Sequence, residues 1–260
     1  MPRLLFADMT RDEIGAIAPH AVALLPTAAI EQHGPHNVVG LDTYCCTAVA
    51  AAAAEFVSDA LPVVVCPPLA YGSSDHHRPW PGVLTLRSGT FAMVLFELLE
   101  SLRLSGFRHI LVLNGHGGNA LLIQQMAIDF VLRYHDTHVV AGSYWDVARQ
   151  ALEAVAAPAP VRIPGHGGDF ETSLMLFLHR NLVRSDKIAA DPPGTPPAMR
   201  SRRANVMDRV WADNPGARRT GLSDDATRAT ADLGRRFFDA AAAEVDRLLR
   251  DMRTILPSDE

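Results

Sequence analysis

The chain has 260 residues, 48% of them hydrophobic and 20% charged, with a net charge of -5. This balance suits a globular protein with a large buried core and argues against nucleic acid or an anionic membrane as the main partner. Cys45, Cys46 and Cys66 form no C-x-x-C pair and read as reduced thiols of a cytoplasmic protein; the early acids Asp8, Asp12 and Glu13 leave no room for a signal peptide, and no apolar run approaches the ~18 residues of a membrane span.

Along the chain, AVALLPTAAI (21–30) reads as a buried strand and TYCCTAVAAAAAEF (43–56) as an Ala-rich helix. VVVCPPLAYG (63–72) is a second strand running into a loop. TFAMVLFELLESLRLSG (90–106), with apolar spacings of three and four and a glycine stop, is an amphipathic helix. HILVLNGHGGN (109–119) is a third strand entering a glycine loop, followed by the helix ALLIQQMAIDFVLRYH (120–135) and the strand HVVAGSYW (138–145). This alternation predicts βαβ units around a parallel-rich sheet. The Pro- and Arg-rich stretch 191–221 reads as a long irregular excursion, either plain surface or a lid or subunit contact. SDDATRATADLGRRFFDAAAAEVDRLLRDM (223–252) reads as a terminal helix capped by Ser223. With no repeat and no linker, one domain over 1–260 is expected.

Ligands of a parallel α/β sheet collect at the carboxyl ends of its strands, and each unusual loop follows a predicted strand. EQHGPH follows the first, YGSSDHHRPWPG the second and NGHGGN the third, while PGHGGDFETSLMLFL (164–178) adds His and Glu before a helix. Together they supply Glu31, His33, His36, Asp42, Asp75, His76, His77, His116, His166, Asp169 and Glu171. Imidazoles mixed with carboxylates, without Cys, suit Zn, Mn or Fe. Two ions about 4 Å apart that share a carboxylate would activate water for amide hydrolysis. Other readings stay open for each part: Asp42 as an N-cap, Glu171 as a first-turn acid, and NGHGGN as a tight turn or a phosphate loop. Recurrence at several strand ends is what favours the metal.

EQHGPH with the downstream LDT, YGSSDHHRPWPG, LVLNGHGGN, GHGGDFETSLML and ATADLG together resemble the creatininase (creatinine amidohydrolase) family, in order from about residue 20 to 240. The resemblance implies an α/β fold, a single three-layer α/β/α domain with a parallel-rich central sheet. It implies a divalent metal site, commonly two ions from among Zn, Mn and Fe, and subunits assembled into hexamers or other homo-oligomers. Matched residue by residue, Glu31, His33, Asp42 and His116 are metal ligands, with Asp42 bridging. Glu171 completes the shell and joins His166, the proton shuttle, as a catalytic residue. His36 matches the motif but no ligand position.

Three departures stand out. Creatininase proper has an acid two residues after the glycine-loop His, where this chain has Gly118, which points away from creatinine itself. The second loop has His76–His77 and Trp80 where relatives have acid–His and Phe. The arginines Arg200, Arg202 and Arg203 match no family motif. Ser74, His76, His77 and Trp80 are candidate substrate contacts, or else a Pro-bounded loop with a packing Trp. Gly117 and Gly118 let the backbone come close to metal and substrate, and Asn114 and Asn119 brace their loop. The expected activity is hydrolysis of a C–N amide bond in a small, cyclic substrate by a metal-bound hydroxide, with His166 delivering a proton to the departing nitrogen. Within the family the alternatives are a deformylase, a peptide-processing peptidase or a hydrolase of an oxidised inositol-type ring. Outside it, the rival is a non-hydrolytic ligand-binding protein using the same rim.

Overall fold

The computed structural model describes residues 4–157, 161–188 and 221–254. Its sheet is built from β1 (Leu4–Leu5), β2 (Val22–Thr27), β3 (Val63–Val65), β4 (His109–Asn114) and β5 (His138–Ser143). The strands run in the order β1-β3-β2-β4-β5, every neighbouring pair parallel. The helices are α1 (Arg11–Ile17), α2 (Leu41–Val57), α3 (Ser88–Leu104), α4 (Ala120–Arg133), α5 (Tyr144–Val147), α6 (Arg149–Ala156), α7 (Asp169–Leu178) and α8 (Ala231–Arg253).

Alternation along the strands divides the core into two layers. Val22, Leu24, Val63, Val65, Leu111 and Leu113 face the side covered by α2, α5, α6, α7 and α8. Ala23, Leu25, Val64, Ile110 and Val112 face the side covered by α1, α3 and α4. The result is a three-layer α/β/α fold, as the resemblance implied. Both faces of the central strands are sealed, which is why their sequences run continuously apolar. Fully buried Phe91, Phe130 and Phe237 fill the layers, each contributing about 1.5–3 kcal/mol.

Local signals explain the helix ends. Thr10 and Glu13 form a reciprocal capping box at the start of α1. Thr230 caps α8 by accepting from the Leu233 N–H, with Asp232 in the first turn and Arg250 and Arg253 in the last. The expected cap at Ser223 is therefore corrected: the helix starts eight residues later, at Ala231, and Ser223 instead donates to Asp224 Oδ2 at 2.5 Å. Strand ends also differ from the apolar runs. β2 stops at Thr27 and β3 at Val65; Pro67 and Pro68 have no N–H and break the ladder, although Cys66 N still donates to Leu24 O and Leu69 N to Pro26 O. Tyr144 and Trp145 open α5 rather than closing β5. β1 and α1 were not foreseen; two residues of strand carry no periodicity to detect. The excursion expected at 191–221, with its arginines, lies outside the described residues except for Gly221.

Among the described residues no helix is long and apolar enough to cross a membrane. Cys45, Cys46 and Cys66 are free and buried.

Candidate metal centre

The site forms where β2, β3 and β4 end, and where α7 points its N-terminus. After β2 the chain doubles back: the Glu31 N–H donates to Val39 O at 3.0 Å. That turn presents Glu31 and His33 inward before α2 begins. Asp42 lies in the first turn of α2, but Gly40 occupies the cap position. The N-cap reading of Asp42 is thereby excluded, and its carboxylate turns to the histidines instead. His33 Nε2 lies 3.1 Å from Asp42 Oδ1, and His116 Nδ1 lies 3.1 Å from Asp42 Oδ2. Glu171, in the first turn of α7, accepts the Gly167 N–H at 2.5 Å and places Oε2 3.8 Å from His33 Nε2. Its first-turn position and its place among the donors are compatible.

Two donor sets result, one of Glu31, Asp42 and His116 and the other of His33, Asp42 and Glu171, and Asp42 belongs to both. All five residues are buried. Two further groupings place Glu31 with His33 and His166, and Glu31 with His76 and His77.

The hydrogen bonds behind the rings show that this set fits a cation. His33 Nδ1 lies 3.2 Å from the Glu31 carbonyl, and His116 Nε2 lies 3.1 Å from the Ser73 carbonyl. A carbonyl oxygen only accepts, so those nitrogens carry the hydrogens and the neutral rings aim lone pairs at the carboxylates. Lone pairs facing carboxylates at this range need a positive charge between them, and metal-binding histidines are anchored in this manner. Glu31 Oε2 and His33 Nε2 are buried with no hydrogen-bond partner.

In the metal-free protein protons take the cation's place. Burial alone would lower the His33 pKa, but Asp42, Glu171 and Glu31 outweigh it and raise it to about 10. His116 is likewise raised, Glu31 and Asp42 overcoming burial. Burial pushes Glu171 up to about 8, against the pull of His33, whereas Asp42 stays well below the usual carboxylate range because His33 and His116 overcome its burial.

Around this centre His166 stacks between His33 and His77, with ring centroids 4.3 and 4.2 Å away. Burial and the His33 charge lower its pKa to about 3. His76 stacks parallel on His116 at 5.7 Å. Ser74 is buried, its Oγ 3.1 Å from His116 Nε2, and Trp80 sits 6.1 Å from His77. Asn114 donates to His116 O at 2.7 Å, and Asn119 links the loops by accepting from Ser73 N and donating to Ala28 O. His36 is buried with Nε2 2.9 Å from Thr172 Oγ1, which in turn donates to Gly167 O. Asp75 and Asp169 stand apart, paired with Arg78 and Arg228.

Gly117 is exposed, but Gly118 is a required glycine. A Cβ there would lie 2.2 Å from Ser73 O and 2.5 Å from His116 Nε2. The second loop thus fills the space an acid at 118 would need, and Glu171 supplies a carboxylate from another direction. Gly118→Ala should cost about 1–3 kcal/mol, read as a lower thermal midpoint together with reduced metal content.

A strap across the site was not foreseen. Leu222 is buried in a socket formed by Gly34 and Gly167, where added Cβ atoms would meet it at 2.4 and 2.2 Å. Ser223 N donates to His166 O, and His166 N donates to Asp224 Oδ2, both at 3.1 Å. The polar run S-D-D looks locally like a helix cap, which concealed this crossing.

The family model described as creatinine amidohydrolase (creatininase) matches residues 7–249. The chain is 32% identical over 200 residues to creatinine amidohydrolase of Pseudomonas putida, covering 71% of this chain and 75% of that protein. It is 30% identical over 223 residues to the mycofactocin precursor peptide peptidase of Mycolicibacterium smegmatis, covering 84% and 79%. Solved creatininase structures in Zn–Zn and Mn forms are similar with TM-score 0.81 at 28% identity, covering 99% of this chain and 100% of theirs.

Proposed function

Because the chain belongs to the creatininase family, and is on that ground an amidohydrolase of C–N bonds, we propose that it opens the amide of a small cyclic substrate at a two-metal centre. Glu31, Asp42 and His116 would hold one divalent ion, and His33, Asp42 and Glu171 the other. Zn and Mn are the first candidates, since similar structures carry them. The observation that carries this reading is Asp42, shared between two donor sets whose imidazoles both aim lone pairs inward. Divalent ions in these positions supply an acidified water and a polarised carbonyl.

The chain's own residues do the rest. His166 Nε2 lies 2.8 Å from the Gln32 carbonyl and so carries the ring hydrogen. Its Nδ1 faces the centre, 3.6 Å from Glu31 Oε1, where it takes a proton and returns it to the departing nitrogen. Asp224, through the His166 N–H, holds that segment in place. His76 and Trp80 flank the histidine wall as substrate contacts, and homo-oligomeric assembly in the cytoplasm is part of the same proposal.

The test is a screen of lactams and other ring amides against purified protein, with and without added Mn or Zn, alongside metal analysis. Ring opening that depends on about two ions per chain is expected. Absence of stoichiometric transition metal would sink the proposal. His166→Asn should keep the metal while kcat falls roughly 10²–10⁴-fold; loss of metal with activity would instead make His166 a ligand.

A further inference from the structure

Glu31 Oε1 is approached by imidazole nitrogens from four separate segments: His116 Nδ1 at 3.2 Å, His77 Nε2 at 3.4 Å, His166 Nδ1 at 3.6 Å and His33 Nε2 at 3.9 Å. By distance alone they look equivalent, and His77 groups with Glu31 and His76 as a set able to hold an ion. The opposite nitrogen of each ring separates them. For His33, His116 and His166 it meets a main-chain carbonyl, of Glu31, Ser73 and Gln32. In their neutral form those three rings therefore turn lone pairs toward Glu31.

His77 is the reverse case. Its Nδ1 lies 2.9 Å from Gln32 Nε2, and the Gln32 amide has a fixed orientation. Gln32 Oε1 accepts the Gly34 N–H at 3.0 Å, while Nε2 donates to Gly221 O at 2.7 Å. Flipping the amide would set donor against donor and acceptor against acceptor at both main-chain groups. The second amide hydrogen must go to an acceptor. His166 Nε2, 3.0 Å away, already carries a hydrogen for the Gln32 carbonyl. It therefore goes to His77 Nδ1, and both amide hydrogens are used. A ring nitrogen that accepts carries no hydrogen, so the imidazole hydrogen of His77 sits on Nε2, the atom 3.4 Å from Glu31 Oε1.

We propose that Gln32 is a positioning residue that locks His77 in the Nε2–H tautomer, making His77 a hydrogen-bond donor that holds Glu31 rather than a metal ligand. The Glu31–His76–His77 grouping then holds no ion. His77 then fixes Glu31 Oε1 beside His116 Nδ1, while Glu31 Oε2 is buried without a hydrogen-bond partner. The assignment of an ion to Glu31 rests on the proposed two-metal reading; the tautomer does not.

Long-range ¹H–¹⁵N spectra of histidine-labelled protein test it, with His77→Gln used to assign the His77 signals. Metal-free protein should show a pyridine-like Nδ1 and a protonated Nε2 for His77, and zinc loading should leave Nε2 protonated. A protonated Nδ1, or zinc coordination shifts at His77 Nε2, would overturn the proposal. Failure of the protein to bind zinc would sink the two-metal reading and leave the metal-free spectrum to decide the tautomer. Gln32→Met should erase the pyridine-like Nδ1 signature and lower kcat about 10- to 100-fold at unchanged zinc content. An unchanged His77 signal in that variant would also overturn the proposal; should it not fold, the wild-type spectrum decides.

Discussion

Asp42→Ala should strip both ions from the protein and lower kcat/KM by roughly 10³-fold or more, the equivalent of about 4 kcal/mol of transition-state stabilisation. The loss is large because one carboxylate serves two donor sets, facing His33 through Oδ1 and His116 through Oδ2. Glu171→Ala should behave differently, removing a donor from the His33 set and leaving Glu31, Asp42 and His116 intact. Metal analysis separates the outcomes: Asp42→Ala is expected to hold no ion and Glu171→Ala about one. An Asp42→Ala protein that still carries two ions would show that the carboxylate does not bridge.

The metal-free protein should lose stability as pH rises from about 6.5 to 10. His33 and His116 hold protons in the folded state far above the pH at which unfolded histidine releases them. Glu171, raised to about 8, does the same against an unfolded carboxylate. Across this window the folded state binds more protons than the unfolded chain. Its stability therefore falls with pH, by about 1.4 kcal/mol per pH unit for each extra proton. His36, His76 and His166 have lowered values and act in the opposite sense, but they titrate below this window. Divalent ions replace the protons, so binding near neutral pH should release about three. The gap between metal-loaded and metal-free melting temperatures should widen as pH rises, which calorimetry across the range measures. A gap that narrows would mean the raised histidines do not belong to the metal site.

The layered fold was legible because buried parallel strands and amphipathic helices carry periodicity that a single sequence displays. The donors were legible because acids and imidazoles at strand ends have no packing use, and because E-Q-H-G-P-H and N-G-H-G-G-N recur as a pair in one family. Gln32 was read past, since its role depends on Gly221 far along the chain. The two readings of Asp42 could be separated only by the helix start, which the motif does not mark. The socket of Gly34 and Gly167 is invisible in sequence, because each glycine alone looks like an ordinary turn and only Leu222 unites them.

That socket also bears on how an ion is kept. Every proposed donor lies between residues 31 and 171, whereas Leu222 is made much later, at synthesis rates of about 5–20 residues per second. A nascent chain that has just emitted Glu171 owns all the donors but lacks the plug that ties the Gly34 turn to the Gly167 turn. Once Leu222 is seated and Asp224 has taken the His166 N–H, the two turns no longer part easily, and an ion held between them would leave more slowly. Trimming Leu222 to alanine should therefore speed ion release more than it slows capture.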